Sequence, residues 1–73
     1  MPQVAGLGEL SRLEGYRLAG VGVLAAETDD DVRTAWQSLT EDTLVVLLTP
    51  RAAAALGNAL AEPGAPMTVV LPS

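Results

Sequence analysis

Leu44-Val45-Val46-Leu47-Leu48-Thr49-Pro50 is the run that sets the architecture of this chain. Five apolar residues in a row carry neither the spacing of an amphipathic helix nor the alternation of a half-solvated strand, so they predict a strand that is apolar on both faces. Such a strand has to be covered on both sides, as it is in a parallel sheet. Thr49 then offers a hydroxyl to cap a helix, and Pro50 stands at the first helical position, where its missing N–H costs nothing. The alanine-rich stretch that follows has Leu56 and Leu60 on one face and predicts a helix that stops before Pro63 and Gly64.

The same alternation extends in both directions. Downstream, Met67 to Leu71 reads as a fourth strand ended by Pro72. Upstream of the polar connector Thr40 to Thr43, residues Val32, Ala35, Trp36 and Leu39 fall at i, i+3, i+4 and i+7 and form one apolar stripe. That helix opens on Asp29, Asp30 and Asp31, whose carboxylates suit the positive end of the macrodipole, with Thr28 or Asp29 as its cap. Gly22 to Ala26 is the second strand. Before it, Ser11 with Glu14 fits a capping box, and the first helix runs to about Ala19, with Gly20 free to take the left-handed conformation that ends it. Gln3 to Leu7 is the first strand, and Gly8 and Glu9 turn the chain. Four strands separated by three helices describe right-handed βαβ units. The expectation is a single small α/β domain with a four-stranded parallel sheet, three crossover helices and the flavodoxin/CheY-like order 2-1-3-4.

Composition fits one such domain and removes much chemistry. A chain of 73 residues folds around a single core. Hydrophobic residues are 49% of it and aromatics only 3%, with no Phe, so that core is aliphatic. Four Arg against nine carboxylates leave a net charge of −5, which gives no electrostatic reason to seek nucleic acid or an anionic membrane. The absence of Cys, His and Lys excludes thiolate nucleophiles, imidazole-ligated metals, Ser-His-Asp triads and lysine Schiff bases. No apolar run is long enough to span a bilayer and no signal peptide opens the chain, so a cytoplasmic protein is expected.

In a sheet of this order ligands sit beyond the carboxyl ends of the strands, between the first and third, where Gly6, Gly8, Glu9, Ser11, Thr49 and Pro50 are expected. Gly6 and Gly8 begin a dinucleotide fingerprint, but Ser11 stands where its third glycine would be. A phosphorelay receiver fails too: it needs a lysine, and Thr49-Pro50 follows the third strand where a phosphorylatable aspartate belongs. Asp29, Asp30 and Asp31 project about 100° apart on a helix and read as a solvated cap rather than a cation site. Arg17 beside Tyr16 suits either a pairing with Glu14 or Glu9, or a protein contact.

The segment Gly15-Tyr16-Arg17-Leu18-Ala19-Gly20-Val21 resembles the hallmark of the F subunit of the archaeal and bacterial V-type (A-type) ATPases, which usually reads Gly-Phe-Arg-Leu-Ala-Gly-Val. Further matches follow in register: Gly8-Glu9 looks like the family's Gly-Asp turn, Glu41-Asp42-Thr43 precedes the third strand as a Glu-Asp pair does there, and Leu71-Pro72-Ser73 looks like its Ile-Pro-Ser. Pro50 departs from the Glu common in the family after the third-strand Thr. The resemblance implies a noncatalytic subunit of the rotary central stalk, bound to a D-subunit homologue and within reach of the catalytic A and B subunits. It implies a place at the membrane periphery as part of that complex, with no catalytic, metal or cofactor residues of its own. The family's C-terminal helical segment has no counterpart here, which leaves the stalk-binding globular part as the expectation. Tyr16, Arg17, Leu18 and Glu9 are the candidate partner-binding residues. The alternatives are an anion- or nucleotide-binding domain using the Gly8 to Ser11 turn, and a free-standing homo-oligomer joined through a sheet edge.

Overall fold

Small and apolar residues suit the middle of a sheet, and β1 (Val4–Gly8) is built of them. It pairs in parallel with β2 (Gly22–Ala25) on one side and with β3 (Val45–Leu48) on the other, and β4 (Met67–Val70) adds to the far side of β3. The computed structural model describes residues 3–72, a single α/β unit in which the strand order is the expected 2-1-3-4. Three helices make the crossovers: α1 (Leu10–Arg17), α2 (Asp29–Gln37) and α3 (Pro50–Leu56), the last extended by a 3-10 turn over Gly57–Ala61.

Register sorts the strand residues onto two unequal faces. Ala5 pairs with Val46 and Leu7 with Leu48, and because side chains alternate, all four share one face. There Leu7, Val46 and Leu48 join Val32 of α2 and Ala52 and Leu56 of α3 in the main core, with Leu24, Trp36 and Leu39 packed at its margin. The stripe expected on α2 is the one that faces this core. Each fully buried aliphatic side chain contributes about 1.5–3 kcal/mol, so a core this small leaves little margin.

The other face is held by a close approach. A side chain on Gly6 would stand 3.2 Å from Leu13 Cδ2 and 3.6 Å from Val21 Cγ1, so the bare glycine lets α1 lie down on β1 and β2. Leu13 is the one buried residue of α1. Over β3 and β4 this face is less covered among the described residues. Val45 and Leu47 are half-buried, while Met67 is 69% and Val69 46% exposed. Two-sided covering of the third strand, expected from its unbroken apolar run, is therefore complete on one face and partial on the other.

Strand ends shift by a residue, β1 running Val4–Gly8, β2 ending at Ala25 and β4 at Val70, and three further boundaries differ from expectation. The Ser11 capping box does not form: α1 begins at Leu10, Glu9 is its cap without a side-chain bond, and Ser11 lies exposed in the first turn. The first-turn N–H of Leu10 donates instead to Glu27 Oε2 at 3.1 Å, so a distant carboxylate replaces the local signal. The third helix changes to 3-10 geometry at Gly57, whose φ of +50° departs from helical backbone. Leu44, expected at the head of β3, precedes it and is 57% exposed. The other end of α1 is as expected. Gly20 has φ +91°, and bonds from Val21 N–H to the Tyr16 carbonyl and from Gly20 N–H to the Arg17 carbonyl complete a Schellman turn.

Candidate functional site

The candidate residues fall at opposite ends of α1. Glu9 stands at the carboxyl end of β1, where the strand order reverses, and Tyr16, Arg17 and Leu18 stand at the far end of the helix, about 12 Å away at 1.5 Å per residue. They form two sites rather than one.

The Glu9 end is a closed polar knot. Gly8 has φ +146°, and a Cβ there would collide with the Thr49 hydroxyl and lie 2.9 Å from its Cβ, so only glycine lets β1 pass the start of α3. Thr49 is wholly buried. Its hydroxyl donates to Glu9 Oε1 at 2.6 Å and accepts the Ala52 N–H at 3.2 Å, which makes Thr49 both the cap of α3 and the tie between β1 and β3. Arg12 lies 3.6 Å from the second Glu9 oxygen. The Thr49 hydroxyl is the main influence holding the Glu9 carboxyl below its ordinary pKa, and the Arg12 and Arg51 guanidinium groups act in the same direction. With its side chain only 19% exposed, Glu9 is turned inward.

The crevice expected between β1 and β3 is thus largely filled by its own side chains. Gly8, Glu9 and Thr49 meet there, Gly6 is covered by Leu13, and Ser11 faces solvent. The N-terminus of α1, the natural anion cradle, already receives the Glu27 carboxylate. Two clefts lie elsewhere. One of about 260 Å³ is lined by Ala5, Leu24, Ser38, Leu39 and Thr43, and one of about 220 Å³ by Trp36, Leu39, Glu41, Gly64 and Pro66. Asp30 pairs with Arg33 at 2.9 Å and Thr28 caps α2 through the Asp31 N–H, so the acidic turn serves the helix. Among the described residues no three acidic side chains converge on a metal position.

The other end of α1 is open. Leu18 is 91% exposed and Tyr16 37%, beside a turn. Arg17 is 60% exposed and reaches Glu14 at 4.0 Å, the intrachain pairing anticipated from the sequence. The Schellman turn fixes the direction of this segment, so Tyr16, Arg17 and Leu18 are presented on an ordered backbone. A scan against protein-family models finds no match for the chain, and a search of curated proteins finds no relative.

Of the other positions quoted for the resemblance, Thr43 is buried before β3, and Leu71 donates its N–H to the Leu48 carbonyl at 2.8 Å. Ser73 lies outside the described residues. Sequence reasoning missed the Glu27 bond and the Glu9 to Thr49 tie, which join residues 17 and 40 positions apart. The one signal that could have found the tie was the strand order, which brings the ends of β1 and β3 together.

Proposed function

We propose that this chain is a noncatalytic docking module of the F-subunit type, seated on the central stalk of a rotary V-type (A-type) ATPase and helping to couple ATP turnover to ion transport. The observation that carries the reading is the segment Gly15 to Val21, whose resemblance to the family hallmark spans seven consecutive residues. Its surroundings favour a contact role: the segment ends a helix in a rigid turn and exposes Leu18 and Tyr16. In this reading Tyr16, Arg17 and Leu18 touch a coiled-coil D-subunit homologue, with the catalytic A and B subunits as further neighbours. Glu9 acts through the knot with Thr49, holding the end of α1 that does not meet the partner.

The reading puts the protein in the cytoplasm, peripheral to the membrane within the complex. No helix among the described residues is long and apolar enough to cross a bilayer, which is compatible with that position. The anion-binding alternative gains nothing from the geometry, because Glu27 takes the Leu10 N–H that an anion would use. Co-expression with the D-subunit homologue tests the proposal. The two chains are expected to co-purify through size exclusion, and a folded stalk partner that elutes without this chain would overturn the reading.

A further inference from the structure

We infer that the free edge of β4 is a self-association site, where β4 of a second copy adds in antiparallel fashion and joins two four-stranded sheets into one. Hydrogen bonding decides which backbone groups of β4 are spare. The N–H of Met67 donates to the Leu44 carbonyl at 3.2 Å and that of Leu71 to the Leu48 carbonyl at 2.8 Å. Backbone groups alternate in direction along a strand, so Met67, Val69 and Leu71 bond toward β3 while the N–H and C=O of Thr68 and Val70 point away from it. β4 is the last strand of the sheet, and among the described residues these four groups have no backbone partner.

Two prolines set the limits of the pairing. Pro66 and Pro72 hold the next places in the outward series on either side, and neither has an N–H to donate. The bonding groups therefore lie symmetrically about Val69. A two-fold axis there brings Thr68 opposite Val70 of the second copy and Val70 opposite its Thr68, each pair exchanging both of its bonds. Sliding one copy by two residues would set a proline against Thr68 or Val70, whose carbonyl then has no donor. This symmetry selects a second copy as the occupant, because a closed two-fold dimer needs a surface complementary to itself.

The side chains agree with that register. Met67 and Val69 are exposed on one face of the sheet and Val70 on the other, so no single covering element would bury them, whereas an added strand borders both faces. In the two-fold pairing Val69 meets Val69 of the second copy and Met67 meets its Leu71, apolar against apolar. Residues 63 to 73 contain no charged side chain, so the net charge of −5 is not concentrated where the copies meet, and the edge strand itself carries none of the charges that blunt natural sheet edges. The other edge strand, β2, exposes only Ala25. An edge of five residues, about 17 Å long, is smaller than a permanent interface, so the dimer is reversible and populated from about 0.1 mM upward. β4 lies across β3 from the strands that α1 covers, so the pairing leaves Tyr16, Arg17 and Leu18 uncovered and holds whether or not a stalk partner binds there.

Sedimentation of the intact chain from about 0.02 to 1 mM tests it. The mean mass is expected to rise toward two chains, and the Thr68 and Val70 amides to gain hydrogen-exchange protection as concentration rises. Thr68→Pro removes an outward donor and no bond to β3, and is expected to weaken association roughly tenfold or more with native circular dichroism. Val69→Lys and Val69→Glu should each weaken it by a similar factor, and their equimolar mixture should recover it, because the two-fold register sets residue 69 against itself. A one-chain mass at every concentration would overturn the assignment, as would association that Thr68→Pro leaves intact. A mixture that does not recover, while the wild type associates, would overturn the two-fold pairing.

Discussion

Replacing Thr49 by Val tests how much of this small fold hangs on one hydroxyl. Val fills almost the same volume, so no cavity forms, and the change removes two bonds: the charge-assisted one to Glu9 and the cap of α3 at Ala52. Loss of a helix N-cap costs about 1 kcal/mol, and a hydrogen bond to a charged group is worth about 1.5–3 kcal/mol. Glu9 keeps some access to water, its side chain being 19% exposed, which favours the lower end of the second figure. A total of about 2–3 kcal/mol follows, against about 4–11 kcal/mol for a domain of this length. Acid adds a second signature. The carboxyl of Glu9 is held below its ordinary value in the folded state, chiefly by the Thr49 hydroxyl, so the stabilisation it provides is complete above the unfolded value of about 4.3 and is lost as pH falls through the folded one. Urea unfolding followed by circular dichroism, repeated from neutral to acid pH, is the assay. The gap between Thr49→Val and wild type is expected to narrow on acidification toward the cap contribution alone. A gap below about 0.5 kcal/mol at neutral pH, or one that is the same in acid, would refute the role given to the knot.

Other substitutions separate structure from contact. Gly8→Ala forces a side chain into Thr49 at φ +146° and is expected to cost about 2–4 kcal/mol, visible as a large drop in thermal midpoint; an unchanged midpoint would contradict the close approach. Gly20→Ala has open space around it but keeps φ +91°, so about 1–2 kcal/mol of backbone strain is expected in chemical denaturation, with native spectra. Arg17→Ala removes only a long, exposed ion pair and should change stability by less than about 0.5 kcal/mol, while weakening the complex with the D-subunit homologue; a large loss of stability would mean the residue serves the fold instead. Leu18→Glu, at a side chain 91% exposed, is expected to leave the thermal midpoint unchanged and to abolish co-purification with that partner.

The order of the elements was legible because periodicity is a local property. Val32, Ala35, Trp36 and Leu39 announce α2 by spacing alone, and Thr49-Pro50 announces α3 by its cap chemistry. The run Leu44 to Leu48 identified a central strand correctly, yet it overstated the covering, since an apolar residue records what a position tolerates and not whether a helix arrives to bury it. Leu47 is only partly buried for that reason. The start of α1 was misread because the Ser11 and Glu14 signal is local, whereas the carboxylate that bonds Leu10 comes from Glu27 after β2. At the candidate site, exposure of the Tyr16 to Leu18 segment and the inward turn of Glu9 depend on tertiary placement, which no spacing in the chain encodes.

In the proposed reading this chain works by what it touches, through the end of α1. Titration calorimetry of the intact chain with a purified coiled-coil D-subunit homologue measures that directly. One-to-one binding with a negative heat-capacity change is expected, as apolar side chains such as Leu18 leave water. No heat at any temperature, together with separate elution of the two folded proteins, would contradict it.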